Sequence, residues 1–184
     1  MWIGILGTLS LTSSAYTPGI VTAEDKAGLL VAALVAGVFE EIAWTGFATH
    51  ELLKRHGLVT TGLIVGLPWG LLHLPLYAGT ASGAVPQALH LAVALFSIMV
   101  PYRVLMVWAY GHTQSVLIAI LMHLALNVSA ILFSSAVMAG APALIFNLIF
   151  GAVLWVVVAA VAAADRRKAL ATSVGLAGGT LGGQ

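Results

Sequence analysis

Cysteine is absent from this chain of 184 residues, which excludes disulfides, thiolate metal sites and cysteine nucleophiles. Charge is scarce too: 7% of residues are Asp, Glu, Lys or Arg, where a soluble domain carries about 25%. The formal net charge of +1 leaves no basic footprint for nucleic acid. The only aspartates, Asp25 and Asp165, flank the long apolar runs, so an intramembrane aspartyl pair is excluded. Ser82 has no GxSxG context, which argues against a serine hydrolase. The N-terminus lacks the basic start and small-residue cleavage site of a signal peptide.

What is present is apolar: 61% of the chain, with a mean hydropathy of +1.08. A membrane-crossing helix needs about 20 apolar residues at ~1.5 Å rise each. Five runs meet that standard: Ala27–Leu53, Leu58–Ala78, Ala84–Tyr110, Gln114–Met138 and Ala141–Ala164. A sixth, Met1–Val21, is borderline, weakened by Thr12, Ser13, Ser14, Thr17 and Pro18. The expected fold is all-α, a polytopic transmembrane helical bundle of five strong spans and one borderline N-terminal span. No internal repeat is visible. A single domain over 1–170 is expected, followed by a Gly-rich flexible tail over 171–184.

The few cations are ordered. Lys54–Arg55, Arg103 and Arg166–Arg167–Lys168 mark alternate ends of the runs, which the positive-inside rule assigns to the cytoplasm. Lys26, beside Glu24 and Asp25, is the one exception.

Against this background Glu40 and Glu41 stand out. Both lie inside an apolar run, where an acidic residue costs about 3 kcal/mol at a helix centre. Counting from the cytoplasmic helix ends puts Glu40 at ~20 Å, His73 at ~22 Å, His123 at ~14 Å and Asn127 at ~20 Å. His123 and Asn127 share a helix face, as do Trp69 and His73. Gly62, Gly66 and Gly70 form a small-residue ridge on which a neighbouring helix can pack closely. Glu40 and Glu41 are ~100° apart around their helix, so one faces a cavity while neighbours hold the other.

Each polar residue alone has a plain reading. A lone intramembrane His or Asn commonly bonds a neighbouring helix, and Trp69 reads as packing. His50, Glu51, His56 and His112 read as solvated membrane boundary, and His90 has no obvious partner. His50-Glu51-Leu-Leu-Lys54 begins like HExxH but lacks the second His. Two Glu, two His and one Asn at one depth on three helices are harder to explain as packing.

Three ordered motifs carry these residues: Glu40-Glu41-Ile-Ala-Trp-Thr45, Trp69-Gly-Leu-Leu-His73 and His123-Leu-Ala-Leu-Asn127. They resemble the EExxxR, [FW]xxxH and HxxxN motifs of the CAAX-protease and bacteriocin-processing family, the Rce1-like intramembrane proteases. The resemblance covers about 35–130, including the turn at His112-Thr-Gln-Ser115. It implies an intramembrane endopeptidase acting on a prenylated CAAX-type or small hydrophobic peptide. The protein is then expected to be multi-pass and integral to a prokaryotic plasma membrane, with a peptide or lipidated protein as substrate.

The candidate catalytic residues are Glu40, Glu41, His73, His123 and Asn127. By resemblance, Glu40 with His73 activates water, while His123 and Asn127 hold the oxyanion. Glu40, His73 and His123 also form a two-His, one-carboxylate set suited to zinc. Both a metal-free site and a divalent metal therefore stay open. Thr45 departs from the family pattern, which has Arg there to pair with the second glutamate. Arg103, at a similar depth (~11 Å against ~12 Å), is expected to replace it.

Two other functions compete. A non-catalytic family member, with an immunity or scaffold role, is favoured by Thr45. A transporter or proton relay would also use buried Glu and His, but the chain lacks an inverted repeat and a continuous polar route.

Overall fold

The computed structural model of the protein describes residues 23–77, 85–133 and 140–179. Five helices account for nearly all of them, and no strand occurs among the described residues. Helix α1 covers 23–53 as Ala23–Glu41, a π-helical segment Ile42–Thr49, and His50–Leu53. Helix α2 is Leu58–Tyr77, and α3 is Gln87–Thr113 with a π-helical segment at Ala94–Met99. Helix α4 is Val116–Phe133 and α5 is Ala141–Gly179. The borderline span Met1–Val21 lies outside the described residues.

Four helices contain stretches long and apolar enough to cross a membrane: Ala27–Leu53, Leu58–Pro75, Gln87–Thr113 and Ala141–Thr172. The apolar part of α4, Val116–Ala130, is shorter, and residues 134–138 of the expected span fall outside the described set. Large apolar side chains such as Phe39, Phe47 and Val156 point outward at about 70% exposure. In a chain this apolar, those faces meet lipid. Helix α5 continues to Gly179, so it runs through 171–179, where composition alone predicts a flexible tail.

Helix α3 is the centre of the bundle. Over half of its apolar window is buried (56%), against 11% for α1. It packs against α2, α4 and α5, and its Leu95, Ile98, Met99 and Val100 form the core with Trp69 and Leu154. The glycine ridge of α2 lies close against α3. A Cβ on Gly62 would stand 2.7 Å from the Val104 Cα, and one on Gly70 would stand 2.9 Å from the Met99 Cβ. At Gly66 the corresponding approach is 3.3 Å, to the Arg103 Cβ. Side chains there would push α2 off α3.

The π segment of α3 has a local cause. Pro101 cannot donate to the Ser97 carbonyl, so the hydrogen-bond register slips over the preceding turn. The Phe96 carbonyl in this segment instead accepts from Trp155 Nε1 of α5 at 2.8 Å. Gly151 of α5 packs directly on Ser97. Helix α3 ends at Gln114, which takes a left-handed conformation (φ 52°) and donates to the Tyr110 carbonyl at 2.7 Å. A connection of two residues then leads into α4, so α3 and α4 are neighbours and antiparallel.

The boundary residues behave as their positions require. His50, Glu51, His56 and His112 are exposed. Glu51 pairs with Lys54 at 2.6 Å, His50 meets the Tyr110 hydroxyl at 3.1 Å, and His112 faces Asp165 at 3.2 Å. Asp165 also accepts from Trp108 Nε1 at 3.1 Å, tying α5 to α3.

Candidate active site

The polar residues of α1, α2, α3 and α4 converge. Glu40, His73 and His123 each offer one ligand-type atom, and these atoms lie within 4.8 Å of one another. Glu40 Oε2 and His73 Nε2 are 3.7 Å apart. His73 is mostly buried (11% of its side chain exposed) and Glu40 about one-third exposed (35%). Even so, the Glu40 Oε2 atom is buried and has no hydrogen-bond partner, and the same holds for His123 Nε2.

Glu40 and Glu41 divide as their angular separation requires. Glu41 is fully buried. Its Oε1 accepts from Arg103 Nη1 at 2.7 Å and faces His123 Nδ1 at 2.8 Å. Its Oε2 accepts a short hydrogen bond from the Thr45 hydroxyl. The Arg103 Nη2 donates to that hydroxyl at 3.1 Å. Glu41 is therefore shut off from solvent, whereas the Glu40 side chain is about one-third exposed and lies beside His73.

Arg103, fully buried, fills the gap left by Thr45 in the way the sequence leads one to expect. Thr45 remains in the network as a relay between the guanidinium and the carboxylate. A buried charge pair persists only with good geometry and its remaining atoms bonded. Both guanidinium Nη atoms here are used and Nε is left without a partner, while Cζ stands over the Trp69 ring, 5.4 Å from its centroid and within cation–π range.

Trp69 has a larger part than packing suggests. Its ring stands edge-on to His123 (centroids 5.3 Å apart) and tilted against His73 (4.5 Å), so it fixes the attitude of both imidazoles. Its backbone carbonyl faces His73 Nδ1 at 2.9 Å. A carbonyl only accepts, so Nδ1 bears a proton, and the ring in its neutral form directs the Nε2 lone pair towards Glu40. Tyr102 adds a further tie: its hydroxyl donates to the Met122 carbonyl at 2.7 Å, pinning α4 beside His123. No signal in the sequence marks Tyr102. Asn127 is half-buried, one turn beyond His123 on the same face of α4. His90 is buried on α3 with both ring nitrogens unpartnered, and it plays no part in this cluster.

A carboxylate and two imidazoles are thus gathered from three helices of an apolar bundle. The Type II CAAX prenyl endopeptidase Rce1-like family matches residues 23–129. The chain belongs to that family of membrane proteases. It is similar to the CAAX prenyl protease 2 of Methanococcus maripaludis, 25% identical over 124 residues, 65% of this chain and 46% of that protein. The chain thus spans about half the length of the curated relative it matches. No solved structure matches it.

Proposed function

We propose that the protein is an intramembrane endopeptidase that hydrolyses a peptide bond in a prenylated CAAX-type or small hydrophobic peptide, with Glu40 as general base. One observation carries this reading: Glu40 Oε2 and His73 Nε2 lie 3.7 Å apart, and with the His73 ring neutral and its proton on Nδ1 both are acceptors. That separation is too long for a hydrogen bond between them. Two acceptors so placed can both receive hydrogens from one water, holding it for deprotonation. Glu40 takes a proton from this water as it attacks the scissile carbonyl, and returns that proton to the leaving amine. The Asn127 amide, on the face shared with His123, donates to the developing oxyanion. Glu41 and Trp69 hold the imidazoles, Thr45 and Arg103 hold Glu41, and none of the four touches a reacting atom.

The same atoms fit a divalent metal. One carboxylate oxygen and two imidazole nitrogens suit zinc, whose ligands at ~2.1 Å stand ~3.4 Å apart in a tetrahedron. The 3.7 Å between Glu40 and His73 is close to that spacing, and the unpartnered His123 Nε2 supplies a third ligand. Glu40, His73 and His123 would hold the ion, which would supply Lewis acidity towards a bound water.

Thr45 is the residue that most favours a non-catalytic role. The Arg103–Glu41 pair supports the catalytic reading instead, because the cation missing from α1 arrives from α3. The test is cleavage of a panel of prenylated CAAX peptides and hydrophobic leader peptides by the purified protein, with and without chelator. Wild type should cut at least one class, and Glu40→Gln and His73→Gln should cut it about 10²-fold more slowly or worse. Cleavage by Glu40→Gln at close to the wild-type rate refutes the mechanism, and loss with chelator assigns the metal-dependent form.

A further inference from the structure

The two imidazoles of the site are held differently. His73 leans on a backbone carbonyl, but His123 Nδ1 leans on the Glu41 carboxylate at 2.8 Å. That carboxylate is engaged on the same oxygen by the Arg103 guanidinium at 2.7 Å, and on the other by Thr45. A carboxylate in such a pair is acceptor-only, so the proton between it and the ring sits on Nδ1. In its neutral form the His123 ring then presents a lone pair at Nε2, the buried atom with no partner.

We propose that Arg103 is a positioning residue: acting from α3, it fixes the Glu41 carboxylate so that His123 keeps its proton on Nδ1 and turns a lone pair to the Glu40–His73 pocket. The consequence for catalysis rests on the endopeptidase reading. There His123 joins the side that holds water or a cation, and Asn127 is left as the amide that donates to the oxyanion. In its neutral form a ring with its lone pair at Nε2 cannot donate there, so the oxyanion role that the family resemblance gives His123 passes to Asn127. The geometry also makes the source of the cation interchangeable. Thr45 lies against both Arg103 and Glu41, so a guanidinium placed on α1 at that position reaches the same carboxylate.

The test is nitrogen NMR of the full chain labelled with 15N-histidine, in nanodiscs at neutral pH after chelator treatment. The His123 signals are identified by their loss in His123→Gln. Wild type should show a neutral ring protonated on Nδ1. Arg103→Gln should lose that single tautomer, and Thr45→Arg/Arg103→Gln should regain it. A wild-type ring protonated on Nε2 overturns the proposal, as does an unchanged Nδ1–H tautomer in a folded Arg103→Gln protein. If Arg103→Gln does not fold, the double variant decides: a fold with Nδ1–H supports the proposal, and a fold with Nε2–H overturns it. If neither folds, the wild-type spectrum decides alone. Absence of cleavage on every peptide, with the tautomer as expected, counts against the endopeptidase reading and leaves the positioning role standing.

Discussion

Replacing Glu41 with leucine removes the counter-charge of a fully buried arginine. Arg103 and Glu41 are both at 0% exposure and 2.7 Å apart, so the surviving guanidinium has no route to solvent. Breaking a buried pair by removing one partner costs about 3–5 kcal/mol. Arg103→Met should cost a similar amount, since it strands the carboxylate instead. The double variant Glu41→Leu/Arg103→Met removes both charges, leaving His123 Nδ1 and the Thr45 hydroxyl short of a partner, about 1–3 kcal/mol each and about 2–6 kcal/mol together. Against about 6–10 kcal/mol for the two singles, the double should be less destabilised than their sum by about 4 kcal/mol at mid-range. Reversible unfolding in mixed micelles gives all four corners of this cycle. For a chain of this size each single variant should lower the midpoint by about 6–20 °C. Singles that each cost under ~1 kcal/mol, or a double equal to their sum within ~0.5 kcal/mol, would refute the view that one desolvated pair holds this end of the site.

Glu40→Gln should behave oppositely, lowering kcat by about 10²-fold or more while leaving the unfolding midpoint within a few degrees of wild type. Gly62→Ala should destabilise by about 1–3 kcal/mol, because the new methyl meets the Val104 Cα at 2.7 Å. Gly28→Ala, where nothing lies within 4 Å, should be neutral or stabilise by about 0.5–1 kcal/mol; the reverse order in unfolding experiments would contradict the close α2–α3 packing. Tyr102→Phe removes the hydroxyl that holds the Met122 carbonyl, and should cost about 1 kcal/mol. It should also lower kcat several-fold with KM unchanged.

The sequence made the helices and most of the site legible because the signals are costly ones. Carboxylates, imidazoles and an amide inside apolar runs have to meet each other, and counting depth along each helix brought Glu40, His73 and His123 to one level. Arg103 could be assigned because Thr45 is a gap in an otherwise complete pattern, and an intramembrane arginine at matching depth is rare. Trp69 was hidden because an indole in an apolar run looks the same whether it packs against leucine or against two imidazoles. The π segment of α1 was hidden as well: a slipped hydrogen-bond register in Ile42–Thr49 leaves no mark in an apolar pattern. Tyr102 was invisible for a similar reason, since its hydroxyl bonds to a carbonyl, and carbonyls are the same at every residue.

The distance in sequence between Glu41 and Arg103 bears on how the protein is made. The two are separated by 62 residues, so α1 enters the bilayer well before its cation has been synthesised. At roughly 5–20 residues per second the wait is ~3–12 s. During it the nascent helix carries two unneutralised acids, each at a penalty near ~3 kcal/mol. The insertion machinery must therefore shelter α1 until α3 arrives, and a ribosome stalled between the two would leave a span poorly suited to stay in lipid.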